Sequence, residues 1–396
     1  MPTHQYPLAL LGNITPTEFL NEYWQKKPLL IRNAIAGFKG LLDANELAGL
    51  SCEEDVQARI VKQSKGKWQV IDGPFDEDIF SGLPYGKKDQ DWTLLVQSVN
   101  HHLPKAAELL AEFNFIPHAR LDDLMVSYAP DGGGVGPHFD SYDVFLLQGS
   151  GKRLWRVSEQ QDLSLVGGAP LKILKNFITK QEYLLEPGDM LYLPPQMAHW
   201  GIAMGDCMTY SIGFRAPKKQ DLAVEFLSFM QDRLMSDSPI QEKRALQGLY
   251  QDPDLTLQTH PSEISDNMVA SVSNMLKTIT WDDETVGEFL GAYLSEPKVD
   301  VVFKSPRKLS LEKFNQQLLQ KPILLALKSQ MLCYKTACFI NGEKLDLPDS
   351  LFSCMQRLAD TRCLEVNQQQ LNIDDLARLN QLLHTHYLSG YLTFKL

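Results

Sequence analysis

His138-Phe139-Asp140 sets an imidazole and a carboxylate two residues apart. Along an extended chain, side chains alternate faces, so this pair shares one side. A second histidine, His199, follows 61 residues later, just after "PGDMLYLPPQMA" and at the entry to another strand-like run. Two imidazoles and one carboxylate that leave three positions open are the ligand set of non-haem Fe(II) oxygenases. The open positions suit a bidentate 2-oxo acid and dioxygen. Zinc accepts the same ligand types and stays a rival at this level.

A chain with nine histidines will show an HxD pair by chance, and His199 alone also fits an ordinary strand histidine. The surroundings raise the pair above that background. Gly132-Gly133-Gly134 and Gly136-Pro137 lead into it. They lack the GK[ST] ending of a phosphate loop, so their expected task is to let backbone crowd a site and turn sharply. A 2-oxo diacid also needs a cation for its distal carboxylate. Arg153 follows the Gly149-Ser150-Gly151 turn, and a guanidinium can grip a carboxylate through two hydrogen bonds. Lys152 is its close competitor.

These residues need elements to position them. "TPTEFLNEYWQKKPLLIRNAI" starts as an amphipathic helix with Phe19, Leu20 and Tyr23 on one stripe, and "LLIRNAI" after Pro28 reads as a strand. From Asp123 onward, short runs of β-formers ("LMVSY", "YDVFLLQ", "KRLWRV", "EYLLEPGDMLYLPP", "HWGIAM", "MTYSIGF") are broken by Gly and Pro signals. Many short strands at this spacing predict a double-sheet jelly roll of the cupin type. Between about Pro217 and Leu294 the period turns helical, with Leu222, Phe226, Phe229 and Met230 at helical spacing. The last ninety or so residues mix helices with a hairpin signal at Asn341-Gly342 and suit a winged helix. The expected class is therefore α+β. Its three parts are a catalytic double-stranded β-helix over 1–216, a helical dimerisation region over 217–303 and a winged-helix-like domain over 304–396.

Composition narrows the function classes. With 396 residues, 44% hydrophobic and 22% charged, the chain reads as an ordinary globular protein. No window approaches the ~18 apolar residues of a membrane span. The six cysteines are scattered without a CxxC pair, which suits reduced thiols. With no basic-then-apolar start, a cytoplasmic location is expected. Net charge is -11 and uneven. Residues 301–396 hold 12 Lys/Arg against 8 Asp/Glu, so the first 300 carry -15. That sign disfavours bare or sequence-specific DNA and suits a basic protein partner.

The stretches "EYWQKKPLLIR", "DDLMVSYAPDGGGVGPHFDSYDVFLLQGSGKRLWRV", "LEPGDMLYLPPQMAHWG" and "YSIGFRAP" together resemble the JmjC-type ribosomal oxygenases, in particular their bacterial arginine-hydroxylating branch. The resemblance covers about the first 216 residues and departs at Ala129-Pro130-Asp131, on the expected pocket rim. It implies Fe(II) on His138, Asp140 and His199, with 2-oxoglutarate as cosubstrate and dioxygen as oxidant. Arg153 and Ser127 would hold the cosubstrate. Asp123, Met125, Tyr142 and Ser211 would line the substrate pocket. The implied substrate is an arginine of a basic large-subunit ribosomal protein, and the implied assembly is a homodimer. Asp123, Met125 and Ser127 sit at i, i+2 and i+4, as one strand face requires. Asp123 could pair with a guanidinium and Tyr142 could stack on it. Two other readings stand beside this one: a related hydroxylase or demethylase acting on another protein, and a winged-helix nucleic-acid binder with a cupin sensor.

Overall fold

The computed structural model describes residues 6–84, 90–235, 246, 248–366 and 371–395. Nine strands build one antiparallel sheet: β1 Leu29–Ile31, β2 Ala58–Ser64, β3 Lys67–Asp72, β4 Gln90–Val96, β5 Leu121–Ala129, β6 Val144–Ser158, β7 Gln181–Leu185, β8 Met190–Leu193 and β9 Ala198–Phe214. Their order is β1-β8-β6-β9-β5-β4-β2-β3, with β7 on the far half of β6. The α+β class and the jelly roll hold. Two strand assignments change. "YDVFLLQ" and "KRLWRV" are one strand, β6, and "HWGIAM" and "MTYSIGF" are one strand, β9. The predicted turn at Gly149-Ser150-Gly151 is a bulge between them, where the β6–β9 register slips twice.

Sterics explain the glycines at that bulge. A Cβ on Gly149 would meet the Tyr210 ring at 2.4 Å, and one on Gly151, at φ +60, would meet the Asp206 carbonyl oxygen at 2.0 Å. Only glycine lets the two backbones approach this closely. The slip also changes phase. Before it, Val144 and Leu146 face one side while Phe145 and Leu147 join the main core on the other. After it, Trp155 and Val157 face the same side as Val144 and Leu146. A one-residue offset thus brings odd-numbered positions onto the face that even-numbered ones held.

The outer face of the sheet is closed by the N-terminal segment. The helix Pro16–Glu22 is capped by the Thr15 side chain, which accepts from the Glu18 N–H, and has Pro16 at its first position. Phe19 is its fully buried anchor. Its ring lies 5.0 Å from Tyr192, 5.4 Å from Phe145 and 6.0 Å from Phe115. The strand predicted over "LLIRNAI" shortens to β1, because Asn33 turns at φ +51 and donates its N–H to Asp189.

By packing, the described residues form two compact units, neither continuous in sequence. The first joins 1–216 with 297–329 and 362–396. Its last part carries β10 Ile323–Leu325, paired on one side with Cys363–Leu364 and on the other with Leu392–Thr393. There Phe314 of the helix Leu311–Leu318 packs on His384 and Tyr387 of the helix Ile373–Leu388. The second unit joins 217–296 with 330–361. In it Phe226 lies 5.2 Å from Trp281 and 5.4 Å from Phe289. Asn341 and Gly342 close a hairpin with φ of 50° and 91°, as an Asn-Gly signal predicts. No described helix is long and apolar enough to cross a membrane.

The bulge yields a stability test. Gly151→Ala should cost about 2–4 kcal/mol, because strain and overlap with backbone add. Gly205→Ala, at φ +78 with nothing within 4 Å of its would-be Cβ, should cost only about 1 kcal/mol from the backbone conformation. Urea unfolding midpoints compare the two, and equal losses would contradict the close-approach argument.

Candidate active site

His138 lies outside the nine strands of the sheet. It forms an isolated antiparallel bridge with His199, the second residue of β9. Its N–H donates to the His199 carbonyl at 2.9 Å, and the His199 N–H returns to the His138 carbonyl at 2.8 Å. In such a pair the two side chains project on one face. The imidazole centroids are therefore 4.2 Å apart. Two residues on, the Asp140 carbonyl accepts from the Gln196 N–H at 2.7 Å, which keeps its carboxylate on the same side. The glycine lead-in does what its composition predicts. A Cβ on Gly133 would lie 2.4 Å from the Trp92 carbonyl oxygen, and one on Gly134 would lie 2.3 Å from that of Gly201.

Each imidazole is set by its own backbone. Nδ1 of His138 donates to the Gly136 carbonyl at 2.9 Å, and Nδ1 of His199 to the Met197 carbonyl at 2.8 Å. A carbonyl only accepts, so both rings carry a proton on Nδ1, and Nε2 is the nitrogen left for a metal. Burial, then the neighbouring His138, hold the His199 imidazole down to about 4, so it stays uncharged at neutral pH. Asp140 Oδ2 stands 3.6 Å from His199 Nε2. One ligand atom from each of the three residues lies within 4.8 Å of the others, so the group can hold a metal ion.

All nine sequence-predicted site residues line one cavity of about 510 Å³. Ser127 is buried and sits with Asp123 and Met125 on one face of β5, while Leu124 and Val126 between them enter the core. Ser211 is buried on β9, and Tyr142 stands at the mouth, 39% exposed. Arg153 is 4% exposed, and its Nε and Nη2 atoms have no hydrogen-bond partner. Its guanidinium lies 5.7 Å from the Trp155 ring centroid. Lys152, the competitor, points the other way and pairs with Glu186 at 2.5 Å. A buried, partnerless guanidinium is costly, and it is relieved when an anion occupies the cavity.

Sequence reasoning missed four residues here. Asp122 also lines the cavity because β5 bulges, with Asp122 and Asp123 together opposing Gly213. The adjacent acids opposite a glycine were the available signal. Ser98, at φ +51, donates its N–H and its hydroxyl to Asp123 Oδ2, both at 2.9 Å. Trp155 borders both Arg153 and His199. Lys298 arrives from far along the chain, with no local signal, and pairs with Asp122 at 3.0 Å.

Comparison with known proteins agrees with this geometry. Residues 108–222 match the JmjC domain, and residues 278–393 match the ROXA-like winged helix. The ribosomal protein uL16 3-hydroxylase of Escherichia coli is 33% identical over 334 residues, 84% of this chain and 85% of that protein. This chain belongs to the JmjC-domain ribosomal oxygenases. Among solved structures, E. coli YcfD matches with a TM-score of 0.80 at 31% identity, covering 96% of this chain and 98% of that one. YcfD in complex with cobalt and 2-oxoglutarate matches with a TM-score of 0.78 at 30% identity, covering 99% and 100%. As a JmjC ribosomal oxygenase the chain is an enzyme, a 2-oxoglutarate-dependent dioxygenase.

The JmjC cavity makes a direct prediction. Asp140→Ala removes the charged member of the group without touching the apolar core, so the unfolding temperature should hold. Cobalt(II) affinity, read from its visible absorption, should fall at least about 100-fold, since even the outer partners of metal ligands are worth 10–100-fold. Unchanged cobalt binding would exclude Asp140 as a ligand.

Proposed function

We propose that this enzyme is an Fe(II)- and 2-oxoglutarate-dependent hydroxylase of an arginine side chain in a large-subunit ribosomal protein. The observation that carries the reading is the partnerless guanidinium of Arg153 buried in the same cavity as the His138, Asp140 and His199 group. The name of the E. coli relative supplies the ribosomal class of substrate.

The residues fit the cofactor and cosubstrate. His138 and His199 would bind iron through Nε2, and Asp140 through its carboxylate. Arg153 would take the distal carboxylate of 2-oxoglutarate by charge-assisted hydrogen bonds, with the Ser127 hydroxyl beside it. Bound iron, with 2-oxoglutarate and dioxygen, supplies the oxidising power for an unactivated C–H bond, with succinate and carbon dioxide as by-products. The chain's own work is binding, orientation and exclusion of water. Val144, Leu146 and Trp155 line the cavity with apolar surface, where each charge–charge contact is stronger than in water. Asp123 would pair with the substrate guanidinium, flanked by Met125, Tyr142 and Ser211. Ser98 fixes the Asp123 rotamer through two hydrogen bonds, so the carboxylate is aimed before substrate arrives.

The surroundings of the reaction belong to the same proposal. An acidic catalytic part should draw in a basic substrate faster than it deepens affinity. Assembly would be a homodimer through the helical region, where Val224, Leu227, Met268, Val269 and Leu276 are exposed apolar residues. The location would be the cytoplasm, where ribosomal proteins are made, and the winged helix would serve as scaffold without reading DNA sequence.

The cosubstrate role is testable by kinetics. Arg153→Ala removes one partner of a buried ion pair, a loss of about 3–5 kcal/mol. The 2-oxoglutarate KM should rise at least about 100-fold by that measure. An unchanged KM would move the carboxylate site elsewhere.

A further inference from the structure

Lys298 lies outside the JmjC sequence match, yet its ammonium reaches into the cavity beside the two acids on the β5 bulge. Nζ is 3.0 Å from Asp122 Oδ1 and 3.8 Å from Asp123 Oδ2. The lysine side chain is 37% exposed, while that of Asp123 is 13% exposed. Asp123 is thus a largely buried carboxylate whose Oδ2 accepts two hydrogen bonds, from the Ser98 N–H and the Ser98 hydroxyl, with the lysine ammonium beside it as an ion-pair partner beyond hydrogen-bond range. The two serine contacts come from backbone-anchored groups. The lysine contact comes from a flexible four-carbon stem that can swing into solvent.

Resting on the reading of Asp123 as the acceptor of the substrate cation, we propose that Lys298 is an internal occupant of that subsite, displaced when the substrate guanidinium binds. A buried carboxylate without a counter-charge is costly, and a cavity that must accept a cation needs one only until that cation arrives. Burial raises the Asp123 carboxyl and the lysine opposes it. On Lys298, burial pulls the ammonium down, but Asp123 and Asp122 outweigh it and the net shift is upward. Each charge thus favours the charged form of the other, although burial leaves the Asp123 carboxyl raised on balance. Displacement is made easier by Arg215, whose Nε lies 3.7 Å from Asp122 Oδ1 and remains as its partner when the lysine leaves. A planar guanidinium can engage a carboxylate through two parallel hydrogen bonds, which an ammonium cannot, so the exchange favours arginine over lysine as guest. The occupant therefore acts as a selectivity filter: a neutral side chain cannot replace the charge that it would have to expel.

The test uses the full-length enzyme and a fluorescent arginine-bearing peptide of a basic ribosomal protein, with the same peptide carrying citrulline as the neutral control. Lys298→Met should tighten the arginine peptide about fivefold, the scale of a part-exposed ion pair, while Lys298→Arg should not. Independently, labelling of Lys298 by acetic anhydride, followed by mass spectrometry, should rise severalfold when the arginine peptide saturates the wild-type enzyme. Weaker or equal binding by Lys298→Met, or labelling that falls or stays level, overturns the occupant. Asp123→Asn separates this from failure of the underlying reading. Arginine–citrulline discrimination lost in that variant keeps the cation subsite at Asp123. Discrimination that persists removes the subsite, and the occupant with it.

Discussion

One backbone pair organises this protein's chemistry. His138 and His199 come from segments 61 residues apart and are joined by two reciprocal hydrogen bonds. The pairing fixes both imidazoles on one face of the sheet at 4.2 Å between centroids. Each ring is then held by a carbonyl two residues before it, so tautomer and rotation are set by the same stretch of chain that supplies the side chain. For that bridge to form, the segment before His138 must run almost against its neighbours, and the absence of a side chain lets Gly134 approach Gly201 of β9 and Gly133 approach Trp92 of β4. The glycine-rich lead-in and the His138, Asp140 and His199 group are one structural device.

Register slips do the rest of the positioning. The slip in β6 and β9 puts Trp155 on the same face as Val144 and Leu146, and with it Arg153 reaches the cavity. A regular strand would have sent Arg153 to the opposite face and Lys152 inward. The bulge in β5 turns two neighbouring acids toward the same cavity, where strict alternation would present one. In both places a local break in the ladder is exchanged for a functional group aimed where the chemistry requires it.

The clustering of His138, Asp140 and His199 was legible because HxD spacing, a lone later histidine and a glycine lead-in are all local. The alternation of Asp123, Met125 and Ser127 was legible for the same reason, since a strand period of two carries over several residues. Bulges were not. Gly149-Ser150-Gly151 has the composition of a turn, and composition cannot say whether the chain reverses or continues with one residue out of phase. Lys298 was invisible for a different reason. It meets Asp122 across 176 residues of chain, and no periodicity links the two. The spacing of Phe226 and Phe229 predicts an apolar helical stripe, and part of it packs on Trp281 and Phe289 within its own unit. An apolar face marks burial without naming what it is buried against.

The central claim is that this JmjC cavity places hydroxyl groups on arginine in a large-subunit ribosomal protein. Mass spectrometry of ribosomal proteins purified from cells with and without this gene tests it most directly. The account predicts one arginine heavier by an oxygen atom in a large-subunit protein, absent from the deletion strain and restored by the wild-type gene. Ribosomal proteins identical in the two strains, with no oxidised arginine in either, would contradict it.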